Sequence, residues 1–165
     1  SDVCSSDLDS ALKTMGVLNM LNMKYIIMEP TSAPVENPYA NGNAWLPEKI
    51  YSAKNADEEM QLTGEINTLK EAVVDSRYSE LIPENIQPDS LSYIRLTHRS
   101  PNRLQYEAEI NTARVAVFSE IFYAKGWHAY INGTEVPYFR ANYLLRAISL
   151  EPGKHTIEFR FEPRS

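Results

Sequence analysis

Two charged residues interrupt apolar strand patterns in the C-terminal half of the chain. Glu120 shares an alternation with Phe118 and Phe122, and Arg146 shares one with Leu144, Ile148 and Leu150. A charge left unpaired on a buried face costs about 3–5 kcal/mol, so each needs a partner. One solution is a structural ion pair or a backbone contact; the other is a pair aimed at the hydroxyl groups of a sugar. The same stretch is rich in aromatic residues: Tyr123, Trp127, Tyr130, Tyr138, Phe139 and Tyr143. Sugars stack on exposed aromatic faces, while sandwich strands use the same side chains for packing. Tyr123, Tyr130 and Tyr143 are therefore the candidate carbohydrate contacts, with Arg140 and Asn142 beside them as hydrogen-bonding groups. Glu120 and Arg146 are assigned to structural pairing. Trp127 alternates with Ala129 and Ile131 and is assigned to the core.

Other chemistry finds little support. His98, His128 and His155 are widely spaced, and none has a histidine or cysteine two or four residues on, so no metal site is expected. No phosphate-cradling glycine loop or nucleophile-elbow motif is present, and neither a catalytic residue nor a cofactor is assigned. Asp7-Leu8-Asp9 has the form of a metal-holding Asp-x-Asp, but no strand pattern precedes it. Asn132-Gly133-Thr134 has the form of a glycosylation sequon, but a hairpin turn accounts for it. The net charge of −6 disfavours a nucleic-acid partner, which would need a basic face, and disfavours electrostatic docking on anionic lipid. The single cysteine, Cys4, lies in Ser1–Leu8, a polar octamer that resembles a translated sequencing adapter; residues 1–8 are expected to be a non-native or disordered terminus.

The elements that must position these residues are mostly strands. Ala11, Leu12, Met15, Leu18 and Leu21 recur at helical spacing, then 24–28 turns strand-like, and 29–43 is a proline-rich loop. Asn55-Ala-Asp-Glu58 has the form of a capping box opening a helix of about two turns. Short strands are expected over 49–53 and 71–75. These make 9–80 a small mixed α/β lobe, with 81–91 as a connector carrying Pro83 and Pro88. From 92 to 165 the pattern is an antiparallel β-sandwich of jelly-roll or immunoglobulin-like type, giving an α+β protein. Asn132-Gly133 suits a type I′ turn and Pro152-Gly153 a type II turn. His155, Ile157, Phe159 and Phe161 alternate with polar residues, so Trp127, Ile157, Phe159 and Phe161 are expected inside the main core. No apolar run approaches the ~18 residues that span a bilayer.

The chain resembles the YfhO family of bacterial membrane proteins. The resemblance is carried by Phe118-Ser-Glu, Gly126-Trp-x-Ala-Tyr-Ile, Arg140-Ala-Asn-Tyr-x-Leu-Arg-Ala and Gly153-Lys-His-Thr-Ile-Glu-Phe-Arg-Phe-Glu-Pro. Leu18-Asn-Met-Leu-Asn-Met-Lys-Tyr-Ile-Ile and Asn41-Gly-Asn-Ala-Trp, with Asn55-Ala-Asp-Glu-Glu, extend it upstream. It implies a polytopic glycosyltransferase that uses a lipid-phosphate-linked sugar and decorates cell-envelope glycopolymers. The catalytic carboxylate would then lie in a loop between early transmembrane helices, so no position here inherits a catalytic role. The chain would be the extracytoplasmic C-terminal module, on the outer side of the bacterial cytoplasmic membrane. Its partners would be the transmembrane part of the same polypeptide and an envelope glycan. The alternative is a structural or protein-interaction domain that touches no sugar.

Overall fold

The computed structural model describes residues 41–163, with Met20 and the backbone of a two-residue antiparallel ladder between β1 (Tyr25–Ile26) and β2 (Val35–Glu36). The expected helix around Ala11–Leu21 and the terminus 1–8 lie outside the described residues, apart from Met20.

Most of the described chain is strand. A six-stranded sheet has the order β3 (Ala44–Trp45), β8 (Arg114–Ile121), β12 (Leu145–Leu150), β11 (Phe139–Ala141), β5 (Glu71–Asp75), β4 (Lys49–Ala53). A five-stranded sheet has the order β10 (Thr134–Val136), β9 (Trp127–Ile131), β13 (Gly153–Phe161), β7 (Arg103–Ile110), β6 (Tyr93–Ser100). The inner faces meet in a core of Leu104, Tyr106, Ile110, Phe118, Ile148, Leu150, Ile157 and Phe159. Phe118, Tyr106 and Phe159 pack edge to face, with centroids 4.8 Å and 4.9 Å from Phe118.

The six-stranded sheet is buried on its other face as well. Val115, Val117, Phe139, Leu145, Ala72 and Val74 form a second core beneath Tyr78, Leu81, Ile82 and Ile86. Burial on both sides explains why 114–118 reads as an unbroken buried run. Tyr78 and Leu81 belong to a 3-10 helix (Ser76–Leu81), whose first turn is capped by Asp75. Residues 81–91, expected as a connector, thus cover the second core. The strands expected over 49–53 and 71–75 are β4 and β5 of the six-stranded sheet, where β5 pairs with β11, and β3, not among the expected strands, joins the same sheet by pairing with β8. Such short strands leave backbone groups unpaired unless a longer neighbour completes them.

Local chemistry accounts for the connections. Asn132 (φ 51°) and Gly133 (φ 85°) form the two-residue turn between β9 and β10, and Gly153 (φ 126°) opens β13 in a conformation that favours glycine. The parallel pair β4 and β5 is joined through helix α1 (Ala56–Thr63). Asn55 Oδ1 accepts from Glu58 N–H at 2.9 Å, while Glu58 reaches back to the N–H of Lys54 at 3.4 Å. Arg114, almost fully buried, donates to the carbonyls of Leu46 (2.7 Å) and Pro47 (3.2 Å) and meets Asp89 at 3.4 Å, fastening the 81–91 segment to the sandwich.

The expected core needs one correction. Ile157 and Phe159 are fully buried and Trp127 packs partly buried against them, but Phe161 is 41% exposed. β13 runs on past the cover of the opposing sheet, so its last inward position has lost its roof. Glu158, on the opposite face, is 7% exposed because Arg103 (2.9 Å) and Arg160 both bind it.

Candidate functional site

The sequence-derived contact residues fall into separate places. Arg140, Asn142 and Tyr143 lie at the end of β11 and in the turn into β12. Asn142 (φ 52°) and Tyr143 (φ 67°) are consecutive left-handed residues, an uncommon state for side chains larger than glycine. Asn142 secures it: its N–H donates to the Val73 carbonyl and its Oδ1 accepts from Val73 N–H, both at 2.8 Å, mimicking one more rung of the sheet. The residue is fully buried and offers no surface to a ligand. Arg140 donates to both oxygens of Glu59 on α1, at 2.6–3.3 Å, and Glu59 also accepts from Tyr143 N–H at 2.7 Å. Hydrogen bonding to Glu59 raises the Arg140 pKa further above its ordinary value, against the opposing effect of burial. In this group Tyr143 keeps an exposed ring, with the Arg140 guanidinium 5.6 Å from its centroid.

Tyr130 faces outward from β9, as its alternation with Ala129 and Ile131 requires, yet it is only 8% exposed. Arg160 covers its ring at 4.3 Å and its hydroxyl donates to Glu162 at 2.6 Å. The ring is closed to stacking from that side.

Tyr123, Glu120 and Arg146 converge on one end of the sandwich. Leu145 pairs with Ile121 but Arg146 pairs with Phe118, so Ser119 and Glu120 form a bulge in β8. Ser119 pins it, its hydroxyl donating to the Met20 carbonyl at 2.7 Å and its N–H to that of Asn43 at 2.9 Å. The bulge turns Glu120 toward β6, where it pairs with Arg99 at 2.9 Å. Arg146 finds different partners. It is 2% exposed, donates from Nε to the Ile121 carbonyl at 2.9 Å, and lies against Trp127 (4.3 Å) and Phe159 (5.1 Å). Burial lowers its pKa, partly offset by the Glu120 charge. Glu120 is thus in an ion pair, with Arg99, whereas Arg146 enters no ion pair among the described residues and is held by one carbonyl and two aromatic faces, its Nη1 without a hydrogen-bond partner.

Above Arg146 the loop 122–126 is stapled down by Tyr138, whose hydroxyl contacts the carbonyls of Tyr123 (2.6 Å) and Trp127 (3.2 Å). Tyr138 packs on Phe122 and Phe159, with centroids 5.5 Å and 5.7 Å away. Tyr123 projects from the loop 56% exposed. Beside it opens a groove of ≈ 550 Å³ walled by Trp127 and Phe161, with Lys125, Gly126, His128 and Pro163 around it. The Trp127 and Phe161 rings stand 5.5 Å apart at 60°. Their alternation pointed inward, so sequence reasoning missed this groove. The available signal was position: one ring follows an irregular glycine loop and the other precedes the strand-ending Glu162-Pro163. The groove presents the aromatic planes of Trp127 and Phe161, with the Lys125 and His128 side chains beside them.

A two-sheet β domain with one aromatic end is the class these features define. Residues 85–165 match the family model described as bacterial membrane protein YfhO, a span that takes in β6 to β13 and the aromatic end. Over that span the chain belongs to the YfhO family. No curated protein matches it. Among the described residues, no helix is long and apolar enough to cross a membrane.

Proposed function

We propose that this chain is the extracytoplasmic C-terminal module of a membrane glycosyltransferase that draws on a lipid-phosphate-linked sugar, and that it helps position an envelope glycan as acceptor. It transfers no sugar itself. The observation that carries the glycan contact is the aromatic end, where Tyr123 and Phe161 remain open to solvent although most large aromatics of the domain are packed away. Membership of a membrane-protein family supports the attachment to a transmembrane part of the same polypeptide. A lipid-linked donor needs a membrane-embedded groove, which lies outside the described residues.

A second reading has its own observation. Leu69 (46% exposed) and Tyr93 (44% exposed) flank a cleft of ≈ 390 Å³ between the edges of the two sheets, floored by Arg114. Such a surface suits a protein partner of the envelope.

The chain incubated with a polyprenyl-phosphate sugar and an oligosaccharide acceptor is expected to give no product. Calorimetric titration with envelope oligosaccharides is expected to give dissociation constants of about 1 mM, near −4 kcal/mol. Turnover overturns the non-catalytic role. Absence of heat with every glycan shifts the balance to the protein-partner reading.

A further inference from the structure

We propose that the groove between Trp127 and Phe161 is a subsite for one neutral pyranose ring, stacked by its C–H face on Trp127, with Arg146 acting as the positioning residue that holds the indole in place. This rests on the glycan-positioning role and assigns it an address. The inner side of Trp127 is occupied: the Arg146 guanidinium lies 4.3 Å from the ring centroid and is fixed by the Ile121 carbonyl. The indole therefore cannot swing inward, and its outer side lines the groove.

Phe161 supplies the second wall, set at 60° to the indole. Gly126 keeps that wall close. A Cβ at this position would run into the Phe161 ring, and φ of 91° favours glycine there. A groove of ≈ 550 Å³ lies within the range of small-molecule sites, and aromatic walls with a few polar groups are their usual lining.

The rim selects against cations, and the net charge of the chain against anions. Lys125 enters no ion pair among the described residues and would repel a cationic ligand. The neighbouring polar groups are engaged: both His128 ring nitrogens meet oxygens, of Glu135 at 2.9 Å and of the Glu162 carbonyl at 3.0 Å, while the Glu162 carboxylate accepts from the Tyr130 hydroxyl. An anionic polymer or anionic bilayer would approach a chain of net charge −6. A neutral ring needs none of these charges; it needs a flat apolar face and a wet edge, and both are present.

The chain has two tryptophans, and Trp45 is buried, so W45F leaves Trp127 as sole reporter. Titrating W45F with maltotriose, cellotriose and tri-N-acetylchitotriose is expected to change Trp127 emission saturably with at least one of them. F161A in the same background is expected to weaken that half-saturation about tenfold while the melt stays cooperative. R146K is expected to shift Trp127 emission in the absence of sugar, whereas an arginine serving stability alone would leave the emission of the folded protein unchanged. If W45F fails to fold, calorimetry on the unmodified chain against F161A reads the same loss. Calorimetric binding with Trp127 silent, or undiminished in F161A, overturns the groove and leaves the glycan role standing. Silence in both measurements with all three sugars takes down both. A Trp127 response to phosphatidylglycerol–phosphatidylethanolamine vesicles and to no sugar overturns the proposal in favour of a lipid surface.

Discussion

Glu59 on α1 and Arg140 on β11, 81 residues apart, form a paired contact in which the carboxylate is fully buried and the arginine side chain is 16% exposed. Glu59 takes the Tyr143 N–H as well, so one carboxylate ties the helix to both the strand and the left-handed turn that follows it. The arrangement makes the turn between β11 and β12 dependent on a helix that packs on β5, the sheet neighbour of β11.

Removing one partner should therefore be expensive. E59Q leaves the Arg140 guanidinium with Asp75, 3.9 Å away, as its remaining countercharge, and a loss of about 3 kcal/mol is expected in urea denaturation. Replacing both residues by methionine should recover a large part of that loss, because no charge is then stranded. A loss for E59Q below about 1 kcal/mol would show that solvent compensates Arg140.

Phe159 and Phe161 occupy the same face of one strand and should respond very differently to truncation. Phe159 is fully buried between Phe118, Tyr138 and Arg146, so F159A is expected to cost about 3–5 kcal/mol. Phe161 has lost the opposing sheet, and F161A is expected to cost about 1 kcal/mol or less. Equal losses in chemical denaturation would return Phe161 to the core.

Asp89 predicts an acid-sensitive seam. Hydrogen bonds, led by the Ser92 N–H at 2.6 Å, hold its carboxyl below the ordinary 3.8. A carboxyl whose folded value is depressed adds stability above its unfolded value and loses it as pH falls through the folded one. The loss should thus appear below pH 3.8, where Asp89 releases Ser92, Thr112 and Arg114. D89N should flatten that part of the curve of urea midpoint against pH. An unchanged acid slope in D89N would assign the sensitivity to other carboxylates.

What could be read before folding was what neighbours in the chain decide among themselves. Asn132-Gly133 marks a turn because both residues tolerate positive φ, and Asn55 caps α1 because its side chain reaches the N–H three residues on. Period-two alternation placed Ile157 and Phe159 inward and His128 and Tyr130 outward, since the pleat alone sets which face a side chain takes. The apolar continuity of Val115–Phe118 likewise reflects burial on both sides.

Facing, however, is not burial, and burial was decided elsewhere. Phe161 faces inward and is exposed because the other sheet stops short of it; Tyr130 faces outward and is covered by Arg160 and Glu162. Glu59 stands in an acidic run, Asp57-Glu58-Glu59, with nothing local to separate the buried carboxylate from its neighbours; Arg140 and the Tyr143 amide do that from β11 and its turn. Glu120 and Arg146 showed in the sequence only that each needed compensation. The bulge in β8, a product of pairing between strands, turned one toward Arg99 and left the other to a carbonyl and two aromatic rings. Along the regular strands the sequence determined which way each side chain points, because that is backbone geometry; the tertiary structure placed the bulge that re-aims Glu120 and decided what each side chain meets, because both depend on which distant segment arrives.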